Sequence, residues 1–335
     1  MSFRYSGLEE SIINVIRNNV EGKDVGIAFS GGLDSGLVAA LAKKYAKSVT
    51  LYTCGTNNAF DVSAAMGLSE KLGLPWVHVP IYKGNVEDYI RDMIVATGTS
   101  DPFTISYELP LFCVCMSSEE DCILTGQGAD EFFMGCAKFV GQSDEDYKIL
   151  AAAGVERLVD VSVPCEKKIA AHFGKDLVYP YTDPVVISEI QKIDPEELRP
   201  VDMESRKSVL KEVAIDLGYP FLATRTKKAS QYGSGTTDLV RSLAKKNGMM
   251  YNQFIASLYD QALEGTISKE RCSVVHARVN MLVKIEAENI LQQQGLSPSE
   301  AVEMLYRKII ADNGIDYLEK PESCDSVQQV QNSDL

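Results

Sequence analysis

Two short strings carry the residue types that could do phosphate chemistry. Ser30-Gly31-Gly32-Leu33-Asp34-Ser35 follows the apolar run Val25 to Phe29, and Gly126-Gln127-Gly128-Ala129-Asp130-Glu131 follows the apolar run Cys122 to Thr125. In each, a buried strand of the parallel type is expected to end in glycines and an acid. The first string runs on into a helix whose Leu37, Val38, Leu41 and Ala42 share one face, and Lys43, Lys44 and Lys47 in its last turn complement the helix dipole. Ser30, Gly31, Gly32, Leu33, Asp34 and Ser35 therefore fall between a strand end and a helix N-terminus. Free N–H groups and small side chains there let an anion approach. Asp34 and Asp130, at two strand exits on one edge of a sheet, form a candidate pair of hard oxygen ligands for magnesium held together with phosphate oxygens. Either acid alone reads more simply as a helix N-cap.

The elements that must position these loops can be read around them. Leu8 to Val20 has helical periodicity, Val49 to Thr53 is a second strand ending in Cys54-Gly55-Thr56, a helix from about Asp61 to Leu72 is capped by Gly73, and Trp76 to Ile81 is a third strand. This alternation requires an α/β fold, a parallel doubly wound sheet with right-handed crossovers, whose ligands bind beyond the C-terminal strand ends. Cys54 sits at such an end, as a nucleotide neighbour or as a small buried residue. Ile149 to Tyr259 is mostly helical and punctuated by Pro164, Pro180, Pro184, Pro195 and Pro220, a cap expected to carry the acceptor pocket. After Gly265 the pattern changes. Ser273 to Val279 alternates, Asn280 to Gln294 is helical, Ser297 is an N-cap and Pro298 to Asn313 is a second helix with proline at its first position. One strand and two helices cannot close a core alone, so they imply pairing with a second copy. The expected organisation is a nucleotide-binding domain over 1–148, a helical substrate part over 149–265, a small dimerisation domain over 266–318 and a disordered polar tail over 319–335.

Composition narrows the function classes. A chain of 335 residues exceeds a typical single domain, and a net charge of -14 argues against a surface that coats nucleic acid. Eight cysteines without a C-x-x-C or a paired Cys and His spacing suit reduced thiols rather than disulfides or zinc. No stretch is apolar enough to span a bilayer and the N-terminus has no signal-peptide pattern, so a soluble, cytoplasmic protein is expected.

The first loop lacks the lysine of a kinase-type P-loop and the spacing of a dinucleotide fingerprint. It resembles the pyrophosphate loop of the PP-loop ATP pyrophosphatases, which split ATP between the α and β phosphates. Taken with Gly126 to Glu131 and Phe132-Phe133-Met134-Gly135, it resembles the synthetase domain of the asparagine synthetases and β-lactam synthetases. Pro180-Tyr181-Thr182-Asp183 is similar to that family's P-F-L-D, Lys207 to Glu212 to its E-K-x-x-L-R-E, and Arg225-Thr226-Lys227 leads to a Gly233-Ser234-Gly235 turn. The resemblance, over about Val25 to Leu243, implies an AMP-forming ligase using ATP and Mg2+. It implies Asp34 and Asp130 as metal ligands, Ser30 to Ser35, Cys54, Gly126 and Lys207 as nucleotide-binding residues, and Lys227 as the charge that stabilises the adenylation transition state.

Two departures from the family matter. The chain enters its nucleotide domain directly after Met1-Ser2-Phe3, so a glutamine-hydrolysing domain is expected to be absent and the nitrogen must come from ammonia, an amine or a separate glutaminase subunit. The family's G-E-G-S-D-E carries a glutamate where this chain has Gln127, and an amide accepts no proton at neutral pH. Activation of a carboxylate or carbonyl oxygen is therefore better supported than asparagine as product. A PP-loop enzyme of tRNA sulfur transfer is the second reading, although Cys113-Val114-Cys115 has the wrong spacing for a reactive pair. A nucleotide-sensing DNA-binding regulator is the third. It rests on the C-terminal segment, which resembles the ribbon-helix-helix unit of bacterial and archaeal antitoxins. In that unit Val275, Ala277 and Val279 would face the helices, and Val274, His276 and Arg278 the solvent or DNA. Acids balance bases there, which ranks homodimerisation above DNA binding.

Overall fold

The computed structural model describes residues 4–224, 233–268, 279 and 281–312. Lys227, the expected strand Ser273 to Val279 apart from its last residue, and the polar tail lie outside the described residues. The chain divides into two compact units, Met1–Val274 and Val275–Leu335.

In the first unit, helix α1 (Ser6–Val20) precedes β1 (Asp24–Ala28), followed by α2 (Leu33–Tyr45), β2 (Ser48–Gly55), α3 (Phe60–Leu72) and β3 (Trp76–Pro80). Gly73 adopts the left-handed conformation (φ 59°) that ends α3, as its position in the sequence predicts. Helices α4 (Val86–Thr97) and α5 (Pro102–Ser117) lead to β4 (Cys122–Leu124). The short α6 (Ala129–Phe132), α7 (Asp144–Arg157) and α8 (Val163–His172) then lead to β5 (Asp176–Val178). All strands pair in parallel in the order β3-β2-β1-β4-β5. The chain winds outward from β1 on one side and resumes on the other at β4, so the topological switch lies between these two strands. That is where an open α/β sheet leaves a crevice beyond its C-terminal ends.

Side-chain alternation along the strands separates two cores. Val25, Ile27, Leu51 and Leu124 pack on the face covered by α1, α2 and α3, while Tyr52, Cys54 and Ile123 pack with α4, α5, α8 and the helices Thr236–Lys246 and Tyr251–Ser268. The mostly helical segment after Ile149 also contributes β5, which sequence periodicity does not reveal because three residues are too few to show it.

The second unit contains the helices Met281–Gln294 and Pro298–Asp312. Between them Gly295 takes φ 72°. Ser297 is an N-cap as expected: its hydroxyl accepts from the Glu300 N–H at 3.2 Å, and the Glu300 carboxylate accepts from the Ser297 N–H at 2.8 Å, a reciprocal capping box.

Candidate active site

The loops after β1 and β4 meet at the switch point. No side chain caps α2, whose N-cap is Gly32, so the first N–H groups of that helix have no intrahelical acceptor and face the crevice with the positive end of its dipole. Within the loop, Ser35 Oγ accepts from the Ser30 N–H at 3.2 Å and lies 3.2 Å from Ser30 Oγ. The second loop presses against the first. A Cβ on Gly126 would lie 2.9 Å from Asp34 Cβ and 3.0 Å from the Ser35 nitrogen, so only glycine allows this approach. From the P-Y-T-D string, Tyr181 is fully buried and donates its hydroxyl hydrogen to the Asp34 carbonyl at 3.0 Å.

Asp34 and Asp130 converge on a single cation. Lys207 Nζ lies 2.6 Å from Asp34 Oδ2 and 2.6 Å from Asp130 Oδ1. Burial works against this ammonium, but the two carboxylates outweigh it and hold its pKa above the ordinary lysine value. Lys207 pays a backbone penalty to be there, since its φ of 56° lies in the left-handed region that non-glycine residues avoid. Gly135 shapes the same spot: a Cβ at this position would run into Lys207 Cε and Asp130 Oδ1. Its carbonyl accepts from Arg206 Nη1 at 2.8 Å and its N–H donates to the Asp130 carbonyl at 2.9 Å. Asp34 Oδ2 and Asp130 Oδ1 are taken by the Lys207 ammonium, so a magnesium ion would draw its hard oxygen ligands from the other oxygen of each carboxylate. No cluster of three metal-ligating side chains occurs among the described residues, so phosphate oxygens and water would have to complete such an ion's shell.

Of the residues expected from sequence, Ser30, Asp34, Ser35, Cys54, Gly126, Gln127 and Asp130 line one cleft, while Gly31, Gly32 and Leu33 are buried at the turn behind its wall and Lys207 stands behind the two acids. Cys54 is 4% exposed at the C-terminal end of β2. The Gln127 N–H donates to Thr125 Oγ1 at 3.2 Å. Sequence reasoning missed the opposite wall, formed by Tyr107, Glu108 and Leu111 of α5 with Glu166 of α8. Glu108 and Glu166 are each only 2% exposed. Burial raises the pKa of both carboxyls, and each acts on the other. The signal available was a lone glutamate inside the apolar run Tyr107-Glu108-Leu109-Pro110-Leu111-Phe112, a position where an unpaired acid has no packing reason to be.

Comparison with known proteins agrees with this geometry. The asparagine synthase family model matches residues 8–161, and the RelB antitoxin model matches residues 272–334. A protein of Methanocaldococcus jannaschii assigned as a glutamine-hydrolysing asparagine synthetase is 29% identical over 293 residues, which span 75% of this chain and 54% of that protein. The glutamine-hydrolysing asparagine synthetase of Brassica oleracea is 25% identical over 235 residues, 65% of this chain and 39% of its own. The chain thus spans about half or less of the curated relatives it matches. Among solved structures, NMN synthetase from Francisella tularensis superposes with a TM-score of 0.39 at 14% identity, over 82% of this chain and 100% of that one. The chain is similar to the asparagine synthetases through its nucleotide unit and to the RelB antitoxin family through its C-terminal segment.

Proposed function

We propose that the protein is an ATP-dependent ligase that converts a carboxylate to an acyl-adenylate, releasing pyrophosphate, and then transfers the acyl group to ammonia or an amine, releasing AMP. The observation that carries this reading is the convergence of Asp34, Asp130 and the uncapped N-terminus of α2 at one crevice, in a chain similar to asparagine synthetases. The α2 N–H groups and the Ser30 and Ser35 hydroxyls would hold the departing pyrophosphate. Asp34 and Asp130 would hold Mg2+, which neutralises charge on the phosphates when bound. Lys207 would orient the two acids and supply positive charge next to the phosphates, and Lys227 would follow charge as it builds on the α-phosphate. The Gln127 amide can donate and accept hydrogen bonds but cannot take the proton of an attacking amine.

The division of work is a nucleotide part over 1–148 and an acceptor part over 149–265, tied together by β5. Free ammonia, an amine or a separate glutaminase would supply the nitrogen. None of the described cysteines, Cys54, Cys113, Cys115, Cys122, Cys136 and Cys165, is in a disulfide, which supports action in the reducing cytoplasm. No described helix is long and apolar enough to cross a membrane. For the segment 266–318 the reading is a homodimerisation module, with DNA binding ranked below it. Val283, Ile290, Val302, Met304 and Ile310 are exposed there, at 40% to 77%, apolar surface that a second copy could cover. Sedimentation velocity at micromolar concentration is expected to give a dimer, and a monomer would remove this module's role.

The test of the main reading is to incubate the full chain with ATP, magnesium, ammonium chloride and a panel of carboxylates. AMP and pyrophosphate are expected in equal amounts, dependent on one class of carboxylate. ADP and phosphate as the substrate-dependent products would overturn it.

A further inference from the structure

The cleft holds a second pair of acids that the adenylation chemistry does not use. Glu108 reaches it from α5 and Glu166 from α8, after the π-helical turn Leu158–Ser162. Both side chains are 2% exposed, and among the described residues Glu108 Oε1 and Glu166 Oε2 have no hydrogen-bond partner of normal geometry. Neither residue makes an ion pair among the described residues. Arg157 and the Ser162 hydroxyl act on Glu108, and Tyr179 and Glu131 act on Glu166. The Tyr179 hydroxyl is buried beside Glu166 and acts on it. Orphaned carboxyl oxygens this deep are costly unless something else satisfies them. They line the same cleft as Gln127. An anionic acyl-adenylate would be repelled by them, whereas a cationic N–H donor would be attracted to them and satisfied by them.

We propose that Glu108 and Glu166 form the subsite that receives the nitrogen nucleophile as an ammonium or primary alkylammonium ion and takes its first proton, the step the Gln127 amide cannot perform. This deepens the ligase reading and rests on it for the transfer step. Burial raises the proton affinity of both carboxyls, which makes an ionised member of the pair a proton acceptor for the bound ammonium. The ammonium enters with its charge balanced by the pair and gives up one proton to it. The free amine then attacks the acyl carbon, the C–N bond forms, and the C–O bond to AMP breaks with its electron pair leaving on the phosphate. A second proton passes from the new amide nitrogen to solvent, and the pair returns its own proton to water before the next turnover.

The test is a binding measurement that needs no acyl substrate. Relaxation of [13C]methylammonium is recorded with the full-length protein at constant ionic strength and compared with tetramethylammonium, which has the same charge and no N–H. That control is needed because the chain carries a net charge of -14, which gathers any cation. Methylammonium is expected to bind the wild type at least tenfold more tightly than tetramethylammonium, and this preference should vanish in the Glu108→Gln/Glu166→Gln double variant. The amides keep the shape of the carboxyls, and a thermal transition at or above that of the wild type would verify the fold. Equal methylammonium binding by wild type and variant would overturn the subsite, and so would a variant that melts well below the wild type, which would make the acids structural. The two readings fail separately. Selective binding without pyrophosphate release in the preceding assay removes the ligase and leaves the subsite; pyrophosphate release without selective binding does the reverse.

Discussion

Asp34 and Asp130 on one wall of the cleft share an ammonium from within the fold, whereas Glu108 and Glu166, which line the same cleft, have none among the described residues. In the first pair Lys207 sits 2.6 Å from both carboxylates, so one of their two negative charges is balanced from within the fold. The second pair answers burial by holding its protons more tightly. The difference teaches that one cleft can handle ligands of opposite sign when the protein supplies the cation on the phosphate side and leaves its acids uncompensated on the other. It also predicts that removing charge at the two places will move stability in opposite directions.

The larger effect should come from Lys207. Replacing it in Lys207→Met strips the cation from two carboxylates, one of them 4% exposed. Breaking a buried ion pair from one side costs about 3–5 kcal/mol. Chemical denaturation of the metal-free protein is expected to show a loss of this order, partly restored by added magnesium, which can occupy the space between the two acids. A variant as stable as the wild type would mean that water already compensates the acids, and the contrast between the two pairs would lose its basis.

Both loops were legible in the sequence because each is local: an apolar run, glycines and an acid within a dozen residues define strand, turn and helix start together. The parallel sheet followed from the β-α-β alternation, and the Ser297 cap from a single helical turn. What joins the loops was not legible. Lys207 meets Asp34 across 173 residues, and no periodicity announces such a contact, so the sequence marked Lys207 as a nucleotide ligand without showing that it bridges the acids. Glu108 escaped notice because the apolar residues around it read as core, and Glu166 because it sits among Lys167 and Lys168, where an acid looks like ordinary solvated surface. β5 was hidden by its length. Each miss is a tertiary relation between segments that are individually unremarkable.

The smallest expected effect is the sharpest test of the comparison, because its sign is opposite to that of a usual carboxylate. A salt-bridged acid has a lowered pKa in the fold and adds stability as pH rises. Glu108 and Glu166 are raised instead, chiefly by burial. Between the ordinary carboxylate range and their raised folded values, the native state binds protons that the unfolded chain has released. Stability contributed by these groups therefore falls as pH rises through that window, at up to about 1.4 kcal/mol per pH unit for each full proton of difference. Glutamine does not titrate, so the Glu108→Gln/Glu166→Gln variant should lack this decline. Other shifted groups, such as Glu131 raised by burial and Asp24 lowered by Lys47, are common to both proteins and drop out of the difference. Thermal melts at a series of pH values from 4 to 8 should thus show the variant gaining on the wild type with each step upward. Parallel curves would mean that the two carboxyls ionise in the folded protein as they do in the unfolded chain, and the opposition between the two walls of the cleft would reduce to the single cation at Lys207.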